Sequence, residues 1–108
     1  MLFRSVVSSV NHCHYCLTAH GAAVRQRGKD PVLGELMVQN YRAAELSPKQ
    51  RAMLDFAMQV ALESHTVAQP DVDALAAHGF TPDDVWDIAA IAAFFAMSNR
   101  LEIGRAHV

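Results

Sequence analysis

Cysteine is scarce in this chain: there are two in 108 residues, and both fall within Cys13-His14-Tyr15-Cys16. A pair this close is no disulfide framework of the kind that staples small secreted domains. It fits a reducing compartment where the two thiols cycle, so a cytoplasmic protein is expected. An excess of one charge is also missing. Nine basic and eleven acidic residues give a formal net charge of -2. That balance offers no footprint for nucleic acid or an anionic membrane surface. The longest apolar run, Ile88 to Met97, is far short of the roughly twenty residues of a spanning helix. The opening Met1-Leu2-Phe3-Arg4 and the following Ser5-Val6-Val7-Ser8-Ser9-Val10 lack the layout of a signal peptide. Sustained polar–apolar alternation is absent too, which excludes a sheet protein, and turn signals recur at helix-length intervals.

What is present reads as helix throughout, in one domain over residues 1–108 with five to six helices. Residues 2–10 form the first. Asn11, a good N-cap, is expected to open a second that runs to about Arg27, before Gly28. Asp30-Pro31 opens a third, through about Asn40. Ser47-Pro48-Lys49-Gln50 is a capping-box start. The stripe Met53, Leu54, Phe56, Ala57, Val60 and Ala61 follows, ending near His65. Gln69-Pro70 restarts the chain, with Val72, Leu75 and Ala76 expected to face inward before Gly79. Thr81-Pro82 begins the longest helix, to about Ile103. Its Ile88, Ala89, Ile91, Ala92, Phe94, Phe95 and Met97 make it apolar nearly all round. Such a helix is normally buried on every side, which a chain this short hardly achieves alone. A homo-oligomer with this helix near the interface is therefore expected. Trp86, Phe80, Met53, Met58 and Met97 are assigned to packing, with a place near the thiols as a pocket wall the alternative for the Trp86 or Phe80 ring.

Reactive groups concentrate in Asn11-His12-Cys13-His14-Tyr15-Cys16-Leu17-Thr18-Ala19-His20, with both cysteines and three of six histidines. A Cys-x-x-Cys pair suits reversible two-electron chemistry. His20 follows Cys16 by four residues, on the same helical face. Its imidazole is placed to take the Cys16 proton and leave the nucleophilic thiolate. At a helix start the dipole would favour that thiolate further. Two alternatives stay open: an inert buried pair, and a zinc site of Cys13, Cys16, His20 and one of His12 or His14. Haem attachment is excluded, because Leu17 stands where a histidine is required. Taken alone, His14 reads as a surface or pocket residue, His12 as solvated, and Tyr15 as a packing ring or a pocket wall. His65 and His78 read as structural groups near helix C-termini.

The run Cys13-His14-Tyr15-Cys16-Leu17-Thr18-Ala19-His20 resembles the Cys-x-x-Cys-x-x-x-His motif of the AhpD-like alkylhydroperoxidases, within the carboxymuconolactone decarboxylase superfamily. The lead-in Val7-Ser8-Ser9-Val10-Asn11-His12 resembles its peroxidase-related members. Leu46-Ser47-Pro48-Lys49-Gln50-Arg51 and Gly79-Phe80-Thr81-Pro82-Asp83-Asp84-Val85 also resemble family segments. The resemblance implies an all-α, AhpD-like bundle assembled as trimers or hexamers. It implies a thiol peroxidase whose disulfide is re-reduced by a dithiol or lipoylated protein, with no further cofactor and no metal. Cys13 and Cys16 match the redox pair, His20 the proton relay, and His14 a second relay found in some members. The decarboxylase branch typically lacks the thiol pair, which argues against it here. A glutamate usual about a dozen residues before the first cysteine would fall at or just before Met1. No acidic residue precedes Asp30. Family members also commonly carry further N-terminal helices, which the domain is expected to lack, as a natural short form or through a truncated start. Without the glutamate, His20 loses its orienting acid unless another, such as Glu35 or Glu102, folds into place. The second reading is a non-catalytic oligomeric or redox-sensing module on the same fold.

Overall fold

Three helix starts are written in local side-chain chemistry, and each forms. Asp30 accepts the N–H of Leu33 at 3.1 Å. Ser47 accepts the N–H of Gln50 at 3.1 Å while the Gln50 side chain accepts the N–H of Ser47 at 3.0 Å. Thr81 and Asp84 make the same reciprocal exchange, at 3.1 and 2.7 Å. Each bond satisfies a first-turn donor that the helix cannot, and a cap of this kind contributes about 1 kcal/mol. The hydrogen bonds from Thr81, its backbone N–H first, hold the Asp84 carboxyl below its ordinary pKa.

The computed structural model describes residues 2–28 and 30–106; the side chains of residues 2–5, 20, 24, 25, 38 and 106 lie outside that description. Among the described residues there are six α-helices and no strand. They are α1 (Leu2–Val10), α2 (His14–Gly28), α3 (Pro31–Gln39), α4 (Pro48–Glu63), α5 (Gln69–Ala77) and α6 (Pro82–Ala106). Short 3₁₀ turns at Tyr41–Ala43 and Ser64–Thr66 complete the order. The all-α expectation holds.

α1 is the hub. Val6 and Val7 are both fully buried, but they enter different cores. Neighbouring helical residues point about 100° apart, so one short helix serves two clusters. Val7 packs with Phe56, Ala57, Ala61, Leu75, Ile88 and others from α4, α5 and α6. Val6 packs with Met37, Tyr41, Ala44, Leu54 and Met58 from α3, the following turn and α4. Asp55 accepts the buried Tyr41 hydroxyl. Burial first, and that bond second, push the Tyr41 pKa well above its ordinary 10.0. Arg51 closes the same corner by donating to the carbonyls of Arg42 and Ala44 at 3.0 and 2.8 Å.

α5 ends in a Schellman motif. The Gly79 N–H reaches the Ala76 carbonyl at 3.0 Å and the Phe80 N–H reaches that of Leu75 at 3.2 Å. Gly79 takes the left-handed conformation this requires, at φ 89°. Leu75 faces inward as expected and Val72 partly so, but Ala76 is exposed. Its side chain falls on the solvent side of a helix that buries only the Leu75 stripe.

α6 corrects a second expectation. Ile88, Ala92, Ala96 and Asn99, spaced four, four and three apart, form its buried stripe. The opposite side is open: Trp86 is 73% exposed, Leu101 66%, Phe94 57% and Met97 51%. Trp86 and Met97 therefore do not pack within the chain, because the other helices cover only one side of α6. Phe80 is half-buried under Lys49, whose ammonium stands 4.8 Å from the ring centre. Among the described residues no helix is long and apolar enough to cross a membrane.

Candidate redox site

The site is built on the way α1 stops. The Asn11 N–H still bonds the Val7 carbonyl, at 3.2 Å, so Asn11 closes the last turn of α1. His12 then enters the left-handed region at φ 55°. Its N–H bonds the Ser9 carbonyl at 3.1 Å, and the Cys13 N–H bonds that of Ser8 at 3.3 Å. These two bonds define a second Schellman motif, with a histidine where glycine is usual. The expected role of Asn11 as N-cap of α2 is thus overturned. Asparagine suits either end of a helix, and here its side chain donates to Asn99 Oδ1 at 3.2 Å rather than accepting from α2.

α2 begins two residues later than expected, at His14. The Cys13 carbonyl accepts the N–H of Leu17 at 2.9 Å, which puts Cys13 in the cap position and Cys16 in the first turn. The two cysteines are joined as a disulfide across a Cα–Cα separation of 5.3 Å, inside the range such bridges span. Both are buried, at 1% and 4% exposure. The cysteines lie at the positive end of α2, where first-turn N–H groups, which have no partner within the helix, and the dipole favour an anion.

The other candidates divide. His14 is the first residue of α2 and is exposed, its carbonyl accepting the Thr18 hydroxyl at 3.0 Å. His12 is exposed as expected. Tyr15 is 65% exposed, so it is not a packing ring. His20 lies in α2, one turn past Cys16, but its side chain is outside the described residues. The relay role and the zinc alternative, which both need its imidazole, fall there too. Glu35 accepts from Gln39 at 3.3 Å, and Glu102 pairs with Arg105 at 2.9 Å.

Sequence reasoning missed Ser8 and Asn99. Asn99 is 1% exposed, and its amide donates to Ser8 Oγ at 3.0 Å while accepting from Asn11. The available signal was register: an amide occupies the next core position after Ile88, Ala92 and Ala96.

Helices packed with a buried disulfide at one helix start define an all-helical protein carrying a Cys-x-x-Cys bridge. Solved structures sharpen the class. Over 97% of its length the chain matches an uncharacterised peroxidase-related protein of Silicibacter sp. TM1040, with a TM-score of 0.94 and 50% identity. Over 93% it matches an AhpD-core, peroxidase-related protein of Ralstonia eutropha JMP134, with a TM-score of 0.86 and 48% identity. A protein of unknown function from Agrobacterium tumefaciens, a candidate AhpD antioxidant defence protein, shares the fold at a TM-score of 0.80, over 95% of this chain and 70% of that one, with 24% identity. No protein-family model matches the sequence, and no curated protein does. In fold, and in sequence over the length they share, the chain matches AhpD-like, peroxidase-related proteins. It spans about half the length of the first two relatives, 55% and 53%.

Proposed function

We propose that the chain carries the redox centre of a thiol peroxidase, or disulfide oxidoreductase, that reduces alkyl hydroperoxides. The observation that carries this reading is the Cys13–Cys16 bridge at the positive end of α2. The likeness to peroxidase-related proteins at 50% and 48% identity supports it. In the first step the Cys16 thiolate, its proton taken by His20, attacks the peroxide. The O–O bond breaks, one oxygen joins sulfur as a sulfenic acid, and the alkoxide leaves as the alcohol after protonation. His20 or His14 supplies that proton. The Cys13 thiol then condenses with the sulfenic acid, releasing water and forming the disulfide. A dithiol, free or as a lipoylated protein, returns two electrons and two protons by exchange. The reductant places the protein in a reducing compartment such as the cytoplasm. The open apolar side of α6, with Trp86, Phe94, Met97 and Leu101, is the seat for further copies of the chain. Sedimentation showing a stable monomer at micromolar concentration would refute that assembly.

Burial of both sulfurs favours a second reading, a redox-sensing module that keeps the fold and turns over no peroxide. A cumene hydroperoxide assay with a dithiol reductant separates the two. Turnover in the wild type that Cys13→Ser abolishes supports the enzyme. No thiol-dependent turnover supports the module. Mass spectrometry of Cys13→Ser and Cys16→Ser after peroxide treatment identifies the attacking sulfur. Sulfenic acid only on Cys13 would reverse the roles.

A further inference from the structure

We infer that Asn99, on α6, is a positioning residue for the Cys13–Cys16 couple; the inference rests on that couple being redox-active. Asn99 is buried, and its two amide ends hold two different pieces of the thiol turn. Its Nδ2 donates to Ser8 Oγ at 3.0 Å, and its Oδ1 accepts from Asn11 Nδ2 at 3.2 Å. Those partners lie 91 and 88 positions away in sequence. Ser8 is also the residue whose carbonyl takes the Cys13 N–H, and Asn11 directly precedes the left-handed His12. One planar amide thus fixes both residues from which the backbone of Cys13 hangs.

Packing alone does not call for an amide here. The preceding stripe positions are Ile88, Ala92 and Ala96, and an amide in that register is costly unless both ends are paired. Both are paired, and among the described residues no buried side-chain polar atom lacks a partner. The tether has a redox consequence. In the dithiol form the S–S bond no longer holds Cys13 against Cys16, but Asn99 still holds the turn. The thiols keep a high effective concentration for each other, which favours the disulfide. With the amide removed, the open form gains freedom and the equilibrium moves toward the dithiol.

The test is a redox titration in dithiothreitol buffers, with free thiols counted at each step. In the reaction one protein S–S bond breaks and one forms in the reductant, as two electrons and two protons pass to the protein. Asn99→Ala is expected to move the equilibrium constant about tenfold toward the dithiol, about 30 mV for a two-electron couple. Ser8→Ala, which removes only the Ser8 hydroxyl, should move it the same way by less. Leu75→Val, a core change on α5, should lower the thermal midpoint and leave the equilibrium within about twofold. Folded Asn99→Ala within about twofold of wild type overturns the inference, as does a Leu75→Val shift equal to that of Asn99→Ala. If circular dichroism shows Asn99→Ala unfolded, Ser8→Ala decides: a shift toward the dithiol supports the tether, and none overturns it. The titration contains no peroxide. A chain that shifts as expected but turns over no hydroperoxide sinks the peroxidase reading and leaves the role of Asn99 standing. A wild-type pair that will not reduce at all sinks both.

Discussion

The chain ends two of its helices with the same pair of hydrogen bonds, once at Gly79 after α5 and once at His12 after α1. At Gly79 the residue fits the backbone, since glycine enters the left-handed region without steric cost. At His12 the same geometry is imposed on a residue with a Cβ, at about 1–2 kcal/mol. Nothing lies beyond the first turn except the link to α6. Immediately beyond the second is Cys13. The contrast indicates that an ordinary stop is cheap to build, and that the costly version stands where a sulfur has to be aimed. Strain of this kind persists only where surrounding contacts over-determine it, and here Asn99, Ser8 and the disulfide do so.

The largest break in the comparison is to remove what the strained turn presents. Cys13→Ser should lower dithiol-dependent peroxide turnover by at least about a hundredfold while leaving the helical circular dichroism unchanged. The next is to load the relaxed turn. Gly79→Ala should cost about 1–2 kcal/mol in urea unfolding. An added Cβ there meets nothing nearer than Lys49 Nζ at 3.9 Å, so the penalty comes from φ alone. Smaller is the reverse change. His12→Gly relieves the left-handed strain but adds freedom to the unfolded chain, for a net gain of up to about 1 kcal/mol. It should also loosen Cys13 and shift the thiol equilibrium toward the dithiol. A destabilised His12→Gly would show that the turn is not strained. The smallest effect sharpens the α5 side, where the Thr81–Asp84 exchange follows the Gly79 turn. The Asp84 carboxyl is held below its ordinary 3.8 in the fold. Its contribution is therefore present above that value and fades as the pH falls through the folded value. Thr81→Ala should lower the thermal midpoint by a few degrees near neutral pH, and the gap from wild type should narrow in acid. At the other extreme, the raised Tyr41 pKa gives stability that is present below about pH 10 and declines as the pH climbs beyond it. Tyr41→Phe should flatten that alkaline decline in a pH series of thermal melts.

How much of this was legible follows from distance along the chain. The caps at Asp30, Ser47 and Thr81 are decided by partners three residues away, so reading them locally succeeded. Asn11 failed for the opposite reason. Its side chain answers to Asn99, 88 positions on, and no local rule chooses between the two helix ends it can serve. The thiol pair was visible as a motif, and its place at a helix start was correct to within a turn. The buried stripe of α6 was hidden among apolar residues on every face. Which face packs depends on where α1 and α4 lie, and periodicity does not carry that information.

Val6 and Val7 stand side by side on α1 and answer to separate cores. The corner that carries the sulfurs hangs from the end of that same helix. It therefore has no hinge about which to come apart while the rest of the molecule stays intact. The bridge can open with the fold intact, but the corner cannot melt by itself, so heat should take the whole chain through one cooperative step, at a temperature that depends on whether the thiols are joined.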